Sequence, residues 1–591
     1  MTQQHTSNAL EDDASAASSR KVGETQQQPP NVRDTTENSL PPSDDFLVEG
    51  LDDVIPAYAD FDGQMYAGLL PMDNGDRTGN TMFWLFQPAE QMVSKSLVIW
   101  LNGGPGCSSF NCGVLMENSP VTQPLHRAGY CCLDSTPNFG YNEHTWTRAT
   151  TMLYVEHPIG TGFSHGSAFP ENEEEASGDL DSFLQNFLKV FQHLQEYNLF
   201  ITGESYAGMF VPAIARYIHR ANKEAIADRC HGRKENDRIN VRLKGAALGN
   251  GWIDAKIQGP ATIDYSWWHG LIDKPTRDSL HIEFANCMKR FESGDTTSEE
   301  PPPFHPFNVQ DDCGIMWGIL QAAGNPNAYD VTTWDPNVDQ VTFSSEAFFN
   351  KASVKTAIHA PEDITWHGCR PGGGRRLLSA ASSMQRPRVN TDQDRRRLYM
   401  DNDRPFSVVP YIAELVDDGI PVIIYNGDRD MTTNMVGSEL ALNTMDWSGK
   451  EKWLDSKRGL WMVDDYPAGW AKEHGNLTFV VVYNSGHMVP YNQPVPAFDL
   501  LTRLLRHDKF VDKEASLIRT EPLKGVTVAS PETFKVSVTY GTFHRDAILV
   551  ITSLVLGALL AFLGTKLRSP TKRRSYEQLH ETGEISIHTS R

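Results

Sequence analysis

The sequence lacks several patterns that would assign a chain of 591 residues to a class at once. It has no C-x-x-C pair with zinc spacing and no H-E-x-x-H, so neither a zinc site nor a zinc protease is indicated, and no metal or other cofactor is expected. Basic residues are not in excess: the formal charge is −22, which argues against nucleic acid as a partner. Internal repeats are also absent. Eight cysteines are few for this length, but their even number fits disulfides in an oxidising compartment.

Apolar residues are almost missing from residues 1–45, which are therefore predicted to be disordered and which contain no signal-peptide h-region. Residues 547–564, in contrast, are 18 uncharged, mostly apolar residues, near the lower limit for a membrane span. The basic residues that follow predict a cytosolic tail over 565–591 and a lumenal or external main domain. The alternative for 547–564 is a buried core helix.

A lumenal domain of this size requires a targeting signal. Either a signal precedes the first residue of the given sequence, or the span alone targets the chain and leaves the large domain cytosolic. We favour the first, because the chemistry below is typical of secretory compartments. The sequon Asn476-Leu477-Thr478 is compatible with glycosylation there.

Short apolar runs alternate with helix-like stretches such as Asp179–Gln195, a pattern that predicts an α/β fold with a mostly parallel sheet. The predicted strands are Leu97–Leu101, Met152–Glu156, Leu199–Thr202, Gly245–Leu248, Val422–Tyr425 and Phe479–Tyr483. The pattern lapses over 254–350, which we interpret as a cap insertion. The core then occupies 46–253 and 351–512, with an Arg-rich loop insertion at 370–397 and a stalk over 513–546.

A serine stands in a turn between a predicted strand and a predicted helix, in Gly203-Glu204-Ser205-Tyr206-Ala207-Gly208. The helix-like stretch runs from Met209 to Ala221. An α/β-hydrolase uses a strand, a sharp turn and a helix to raise a nucleophilic hydroxyl above its sheet. The match to G-x-S-x-G is imperfect, because Ala207 occupies the fifth position.

A serine nucleophile needs a base and an orienting carboxylate, which in this fold follow in the order serine, acid, histidine. Two late strands end in suitable turns, Asn426-Gly427-Asp428-Arg429-Asp430 and Ser485-Gly486-His487-Met488. His487 is therefore the predicted base. The pattern alone leaves the acid open between Asp428 and Asp430, one orienting the histidine and the other fixing the turn.

Donors for an oxyanion are predicted in the glycine-rich turn after the strand Leu97–Leu101, which reads Asn102-Gly103-Gly104-Pro105-Gly106-Cys107-Ser108-Ser109. Adjacent glycines let backbone N–H groups approach a ligand closely. The alternative, a phosphate-binding loop, lacks its Lys-Ser/Thr ending.

Together these segments, with Gly249-Asn250-Gly251 and Gly486-His487-Met488-Val489-Pro490, resemble the serine carboxypeptidases over roughly Tyr58 to His507. The resemblance implies an α/β-hydrolase fold and a catalytic triad of Ser205, Asp430 and His487. It also implies that the amides of Gly104 and Tyr206 form the oxyanion hole. The activity implied is removal of C-terminal amino acids from peptides or proteins through an acyl-enzyme.

The resemblance further implies that Asn102, Gly103, Glu117 and Glu204 hold the terminal carboxylate of the substrate. Two acids facing an anion must share a proton, which fits an acidic working pH. By the same resemblance, Cys107 pairs with Cys369 and Cys287 with Cys313. Two departures are Glu156-His157-Pro158, where the family often has Asp-Gln-Pro, and Thr433, where many relatives have cysteine.

The membrane span and short tail resemble the Golgi-type processing carboxypeptidases, which trim C-terminal Lys or Arg from propeptides. We therefore expect a single-pass protein of the secretory or endosomal system with a lumenal catalytic domain. Two other functions remain open: an acyltransferase on the same scaffold, and a non-enzymatic, receptor-like relative. The retained acids Glu117 and Glu204 favour a peptidase over a transferase, and the complete triad disfavours a receptor.

Overall fold

The computed structural model describes residues 40–93, 95–122, 139–231, 237–293, 315–333, 345–369 and 407–511. By its internal contacts the chain divides into Met1–Ile518 and Arg519–Arg591, and every described residue belongs to the first unit. The predicted loop insertion 370–397, stalk 513–546, span 547–564 and tail 565–591 lie outside the described residues, as does most of the predicted N-terminal tail. Within the described ranges, no helix is both long and apolar enough to cross a membrane.

A large mixed sheet forms the centre of the fold. The strands are β1 Gly63–Asp73, β2 Thr78–Pro88, β3 Ser96–Leu101, β4 Val121–Thr122, β5 Gly140–Tyr141, β6 Thr151–Val155, β7 His165–Gly166, β8 Asn198–Glu204, β9 Arg242–Gly249, β10 Val422–Gly427, β11 Gly459–Val463, β12 Tyr466–His474 and β13 Leu477–Val482. The sheet order is β1-β2-β6-β3-β8-β9-β10-β13-β12-β11, with β7 paired to β2, while β4 and β5 form a separate pair.

The six predicted strands are β6, β3, β8, β9, β10 and β13, and they run parallel to one another in the middle of the sheet. The expected α/β fold with a mostly parallel centre is therefore confirmed. Both edges are antiparallel instead: β1 and β2 extend one side, and β12 and β11 extend the other. The sequence pattern did not predict these edge strands. β1 mixes exposed and buried positions and includes Gly63, Gly68 and Pro71. The buried apolar run Met82–Phe86 of β2, in contrast, was overlooked.

Helices cover both faces of the sheet. They are α1 Glu173–Val190, α2 Ala207–Cys230, α3 Ala255–Trp268, α4 Lys274–Ser293, α5 Ile315–Ala322, α6 Ala352–Ala357, α7 Val409–Asp417, α8 Met435–Thr444, α9 Lys450–Asp455, α10 Val489–Asn492 and α11 Pro494–Arg506. The helix predicted over 179–195 begins earlier, because Asn172 caps it by accepting a hydrogen bond from the Glu175 amide, and it ends at Val190. The predicted cap, 254–350, contains α3, α4 and α5.

Alternation along the strands supplies one apolar layer to each face. On β3, Leu97 and Ile99 join the core that includes α1 and α2, whereas Val98 and Trp100 join the core that includes α11. Parallel strands buried on both faces place all their carboxyl ends at one edge. The turns after β3, β8, β10 and β13 therefore meet there, and these are the turns that contain the predicted site.

Candidate active site

The turn that contains Ser205 joins β8, which ends at Glu204, to α2, which begins at Ala207. Ser205 has φ +66°, a left-handed conformation that costs a non-glycine residue of the order of 1 kcal/mol. Backbone bonds on both sides hold it: the Ser205 amide donates to the Gly249 carbonyl at 3.0 Å, and the Trp252 amide donates to the Ser205 carbonyl at 2.9 Å. The strained turn is thus fixed against the segment that follows β9.

His487 and Asp430 form a buried ion-pair geometry at the ends of β13 and β10. The His487 Nδ1 atom lies 2.8 Å from Asp430 Oδ2, and the two side chains are 6% and 0% exposed. Asp428, the other acid that the pattern allowed, turns away and accepts a hydrogen bond from the Ser485 amide at 3.2 Å. The contact with His487 therefore distinguishes two acids that the sequence pattern could not.

Four further donors surround the Asp430 carboxylate. Oδ2 accepts from Asn250 Nδ2 at 2.7 Å, from the Thr433 hydroxyl at 2.8 Å and from the Thr433 amide at 3.3 Å, while Oδ1 accepts from the Thr432 amide at 2.8 Å. Asn250 is itself held, because its Oδ1 accepts from the Gly427 amide at 3.1 Å. Such a donor set fixes the orientation of the carboxylate.

Among the described residues, the Ser205 hydroxyl makes no hydrogen bond to His487. In substrate-free hydrolases this contact is often long and tightens when substrate binds. The two turns are nevertheless adjacent, since Glu204 lies within electrostatic range of Asp430, and Glu117 within range of His487.

The glycine-rich turn after β3 lies directly against the serine turn. A Cβ atom added to Gly103 would lie 2.2 Å from the Tyr206 amide nitrogen and 2.9 Å from Ser205 Cβ, so only glycine fits there. Gly104 has φ +109°, which also favours glycine. The backbone at Gly104 and the amide of Tyr206 thus come from two turns packed in direct contact.

Glu117 and Glu204 form a buried carboxyl pair beside these turns. Glu117 lies in a short π-helix over Phe110–Glu117, and both side chains are at most 3% exposed. Burial raises the pKa of Glu117 to about 7, against the opposing effect of hydrogen bonds from Glu204 and Asn102. Burial, and then the charge of Glu117, raise the pKa of Glu204 well above its usual value. One proton shared by the pair is therefore retained at mildly acidic pH.

The orientation of the Asn102 amide follows from its neighbours. Its Oδ1 accepts from Trp100 Nε1 at 2.8 Å and from the Gly113 amide at 3.1 Å, which turns Nδ2 toward Glu117 Oε1 at 3.4 Å. Asn102, Gly103, Glu117 and Glu204 are therefore brought together as the resemblance implies.

Glu156 supports the glycine-rich turn through Ser108, and the sequence alone did not assign it a role. It is fully buried and accepts hydrogen bonds from the Ser108 hydroxyl at 2.6 Å, from Trp366 Nε1 at 2.7 Å and from the Phe163 amide. A Cβ atom on Gly162 would lie 1.9 Å from its Oε1. Burial raises the pKa of Glu156 to about 7 despite these donors. The departure from Asp-Gln-Pro was the only signal in the sequence that pointed to this position.

A disulfide ties the glycine-rich turn to the segment beside it. Cys107 and Cys369 are joined, with an S–S distance of 2.09 Å, and the Ser108 amide donates to the Gly368 carbonyl at 2.8 Å. Cys287 is also disulfide-bonded, whereas its expected partner, Cys313, lies outside the described residues. Asn476 lies in the turn between β12 and β13, where its Nδ2 donates to the Val416 carbonyl at 2.9 Å.

The segment Asn325–Thr333 follows α5 inside the predicted cap and covers the histidine. The His487 amide donates to the Tyr329 carbonyl at 2.7 Å, and the two rings lie 4.8 Å apart. The Met431 amide donates to the Ala328 carbonyl at 3.1 Å, so the same segment contacts the acid turn. In the described part of the chain, no group of three or more His, Cys, Asp or Glu side chains is placed to hold a metal.

Comparison with known proteins agrees with this geometry. Residues 56–507 match the family described as serine carboxypeptidase, Peptidase_S10. Serine carboxypeptidase-like 48 of Arabidopsis thaliana is 33% identical over 425 residues, which cover 71% of this chain and 74% of that protein. A pheromone-processing carboxypeptidase of Paracoccidioides brasiliensis is 29% identical over 471 residues, covering 75% of this chain and 66% of its own length. The crystal structure of a prohormone-processing carboxypeptidase from Saccharomyces cerevisiae matches with a TM-score of 0.63 at 25% identity, over 81% of this chain and 99% of that one.

Proposed function

The chain belongs to the serine carboxypeptidase family, and we propose that Ser205, His487 and Asp430 are the catalytic triad through which it removes C-terminal amino acids. As a member of this family it is a serine-type carboxypeptidase, a hydrolase that acts on peptide C-termini. The observation that carries the residue assignment is the 2.8 Å contact between His487 Nδ1 and Asp430 Oδ2 at the sheet edge that also bears the Ser205 turn.

In the proposed reaction, Ser205 Oγ attacks the carbonyl carbon of the last peptide bond while His487 Nε2 takes its proton. The C–N bond then breaks, and His487 gives the proton to the nitrogen of the departing amino acid. A water molecule attacks the carbonyl carbon of the resulting ester and loses a proton to His487. The bond between that carbon and Ser205 Oγ then breaks, His487 returns the proton to Ser205 Oγ, and the shortened peptide leaves with a new terminal carboxylate. Asp430 orients the imidazole through Nδ1 and stabilises its cationic form in both halves.

The oxyanion is proposed to accept hydrogen bonds from the amides of Gly104 and Tyr206. The close packing of Gly103 against the Tyr206 amide supports this, because it sets the two turns at one reaction centre. Removing a single donor of this kind typically costs about 100- to 1,000-fold in kcat.

The terminal carboxylate of the substrate is proposed to bind Asn102, Gly103 and the Glu117–Glu204 pair. A protonated carboxyl group can donate a hydrogen bond to an anion, whereas an ionised pair repels it. Burial raises the pKa of Glu117 to about 7, so the favourable form is present at acidic pH and is lost as pH rises through that value. Recognition of a free carboxylate restricts cleavage to the chain end.

For the substrate, we propose peptides that end in Lys or Arg, trimmed during propeptide processing. The names of two relatives, a pheromone-processing and a prohormone-processing carboxypeptidase, support the processing role. For the location, we propose a single-pass membrane protein of the secretory or endosomal system with a lumenal catalytic domain. The apolar run 547–564 and the basic residues after it support that topology.

The test is release of amino acids from N-blocked peptides that end in Lys, Arg or Leu, at about pH 5, where the raised carboxyl pKa values keep a proton on the pair. The control is Ser205→Ala, assayed for release and for labelling by a fluorophosphonate. Release of Lys or Arg by the wild type alone supports the proposal, whereas preferred release of Leu favours a degradative role. Labelling without release from any peptide would instead favour the acyltransferase.

A further inference from the structure

Thr433 occupies a position in the acid turn where it contacts two members of the proposed triad. Its hydroxyl donates to Asp430 Oδ2 at 2.8 Å and lies 3.3 Å from His487 Nδ1, and the residue is 3% exposed. A threonine stands here where many relatives have cysteine. The two contacts connect this threonine to the acid and the base of the proposed triad.

The Thr433 hydroxyl, the Asp430 carboxylate and the His487 imidazole lie within hydrogen-bonding distance of one another, which constrains where their protons lie. A threonine hydroxyl has one hydrogen, and the carboxylate is its charged acceptor. With its hydrogen on Asp430, the Thr433 oxygen presents lone pairs to the imidazole N–H. That N–H thus faces both Asp430 Oδ2 and Thr433 Oγ1, while Asp430 Oδ2 also accepts from Asn250.

We propose that Thr433 is a positioning residue of the triad, which fixes the imidazole plane and draws part of the Asp430 charge away from the histidine. The inference rests on the proposed function of Ser205, His487 and Asp430. Of the two contacts, the 2.8 Å bond to Asp430 outweighs the 3.3 Å approach to the imidazole. Loss of the hydroxyl therefore leaves an imidazolium that Asp430 holds more strongly, so that at low pH less of the imidazole is in the unprotonated form that accepts the Ser205 proton.

The other ionisable groups around His487 and Asp430 are the same in the wild type and in a Thr433 variant. Glu117 interacts with His487, and Glu204 and Tyr265 interact with Asp430. Asp428 lies in the same turn, next to Arg429, and Tyr329 packs its ring on the imidazole. A substitution confined to the Thr433 hydroxyl keeps all of these in place.

The experiment compares Thr433→Val, which removes the hydroxyl at nearly constant volume, with Thr433→Ser, which keeps it. The matched control is Thr202→Val, because that buried strand hydroxyl donates to the Ile99 carbonyl at 2.8 Å and lies outside the proposed triad. For each, kcat and KM are measured for an N-blocked peptide from pH 4 to 8, together with thermal unfolding. We expect Thr433→Val to lower kcat by about tenfold, a small fraction of the loss on removing a triad member, with KM little changed.

The pH profile separates positioning from a merely structural role. For Thr433→Val, the acid limb of kcat/KM should move to higher pH by roughly half a unit, because the imidazolium is held more strongly. Thr433→Ser should restore both kcat and the limb, and Thr202→Val should lower stability without changing either. If Thr433→Val does not fold, Thr433→Ala removes the same hydroxyl and takes its place with the same readouts.

Two results would overturn the inference, and they are distinguishable. A wild type that releases amino acids, with a Thr433→Val variant of unchanged kcat and pH profile, overturns the role of Thr433 alone. A wild type that releases no amino acid overturns the proposed function and this inference with it.

Discussion

Replacing Glu156 with glutamine should remove a large pH-dependent loss of stability. The carboxyl group is fully buried and joins three segments through Ser108, Phe163 and Trp366. Burial raises its pKa from 4.5 to about 7. The folded chain therefore binds this proton more tightly than the unfolded chain does, and the free energy of unfolding falls as pH rises from about 4.5 to 7.

The size of the effect follows from the change in pKa of Glu156, which is 7 minus 4.5. Each pKa unit corresponds to about 1.4 kcal/mol, so the wild type should lose roughly 3 kcal/mol from this residue across the interval. Glutamine keeps the size of the side chain and has no proton to lose. The difference in unfolding free energy between wild type and Glu156→Gln should therefore shift by about that amount in favour of the variant.

The assay is denaturant unfolding of both proteins at intervals from pH 4 to 8. Glu117 and Glu204 titrate in both proteins, so their contribution cancels in the difference. The exposed Glu90, changed to glutamine, is the matched control and should give a curve parallel to the wild type. A difference between wild type and Glu156→Gln that stays constant over this range, or that moves in favour of the wild type, would refute the reasoning, because it would mean that the surrounding donors outweigh burial.

Three further predictions concern the site. The KM of a peptide with a free C-terminal carboxylate should rise as pH passes about 7, because burial raises the pKa of Glu117 to that value. The KM of the matching peptide amide should not rise. Equal pH dependence of the two KM values would contradict a role of Glu117 and Glu204 in binding the carboxylate. Gly103→Ala should lower kcat by about 100-fold, because its Cβ would displace the Tyr206 amide, and a normal kcat would contradict the proposed oxyanion hole. Its control is Gly140→Ala, where an added Cβ meets nothing within 4 Å. Cys369→Ser should lower the unfolding free energy by roughly 2–5 kcal/mol, measured by denaturant unfolding, and an unchanged value would mean that the bond does not constrain the unfolded chain.

The central strands could be predicted because parallel strands buried on both faces are continuous apolar runs. Leu97–Leu101 and Val422–Tyr425 are of this kind, and β3 and β10 extend each of them by only one or two residues. The strands β1 and β2 pair in antiparallel fashion along their whole length, and β1 contains no such run. The pairing of β1 with β2 depends on contacts between two strands, and the residue pattern of one strand does not show these contacts.

The acid was the clearest limit of pattern reasoning within the site. Asp428 and Asp430 lie in the same turn, so spacing could not rank them, and only the resemblance selected Asp430. The deciding feature is three-dimensional: His487 Nδ1 lies 2.8 Å from Asp430 Oδ2, and Asn250, from the turn after β9, donates to the same oxygen and fixes its orientation. Glu156 shows the same limit, because its partners Ser108 and Trp366 are distant from it in sequence.

The bonds between the segment Asn325–Thr333 and the triad turns bear on how this protein could be re-engineered. Caps are attractive units to exchange when a new substrate range is wanted, because they are inserted between elements of the catalytic sheet. Here the Tyr329 carbonyl accepts from the backbone of His487, and the Arg429 carbonyl accepts from Val331. A chimera that replaced the whole of 254–350 would remove a support of its own general base. Graft boundaries that fall after α3, whose Tyr265 hydroxyl donates to the Asp428 carbonyl at 2.9 Å, and before Asn325 would keep both supports and leave α4 and α5 available for replacement.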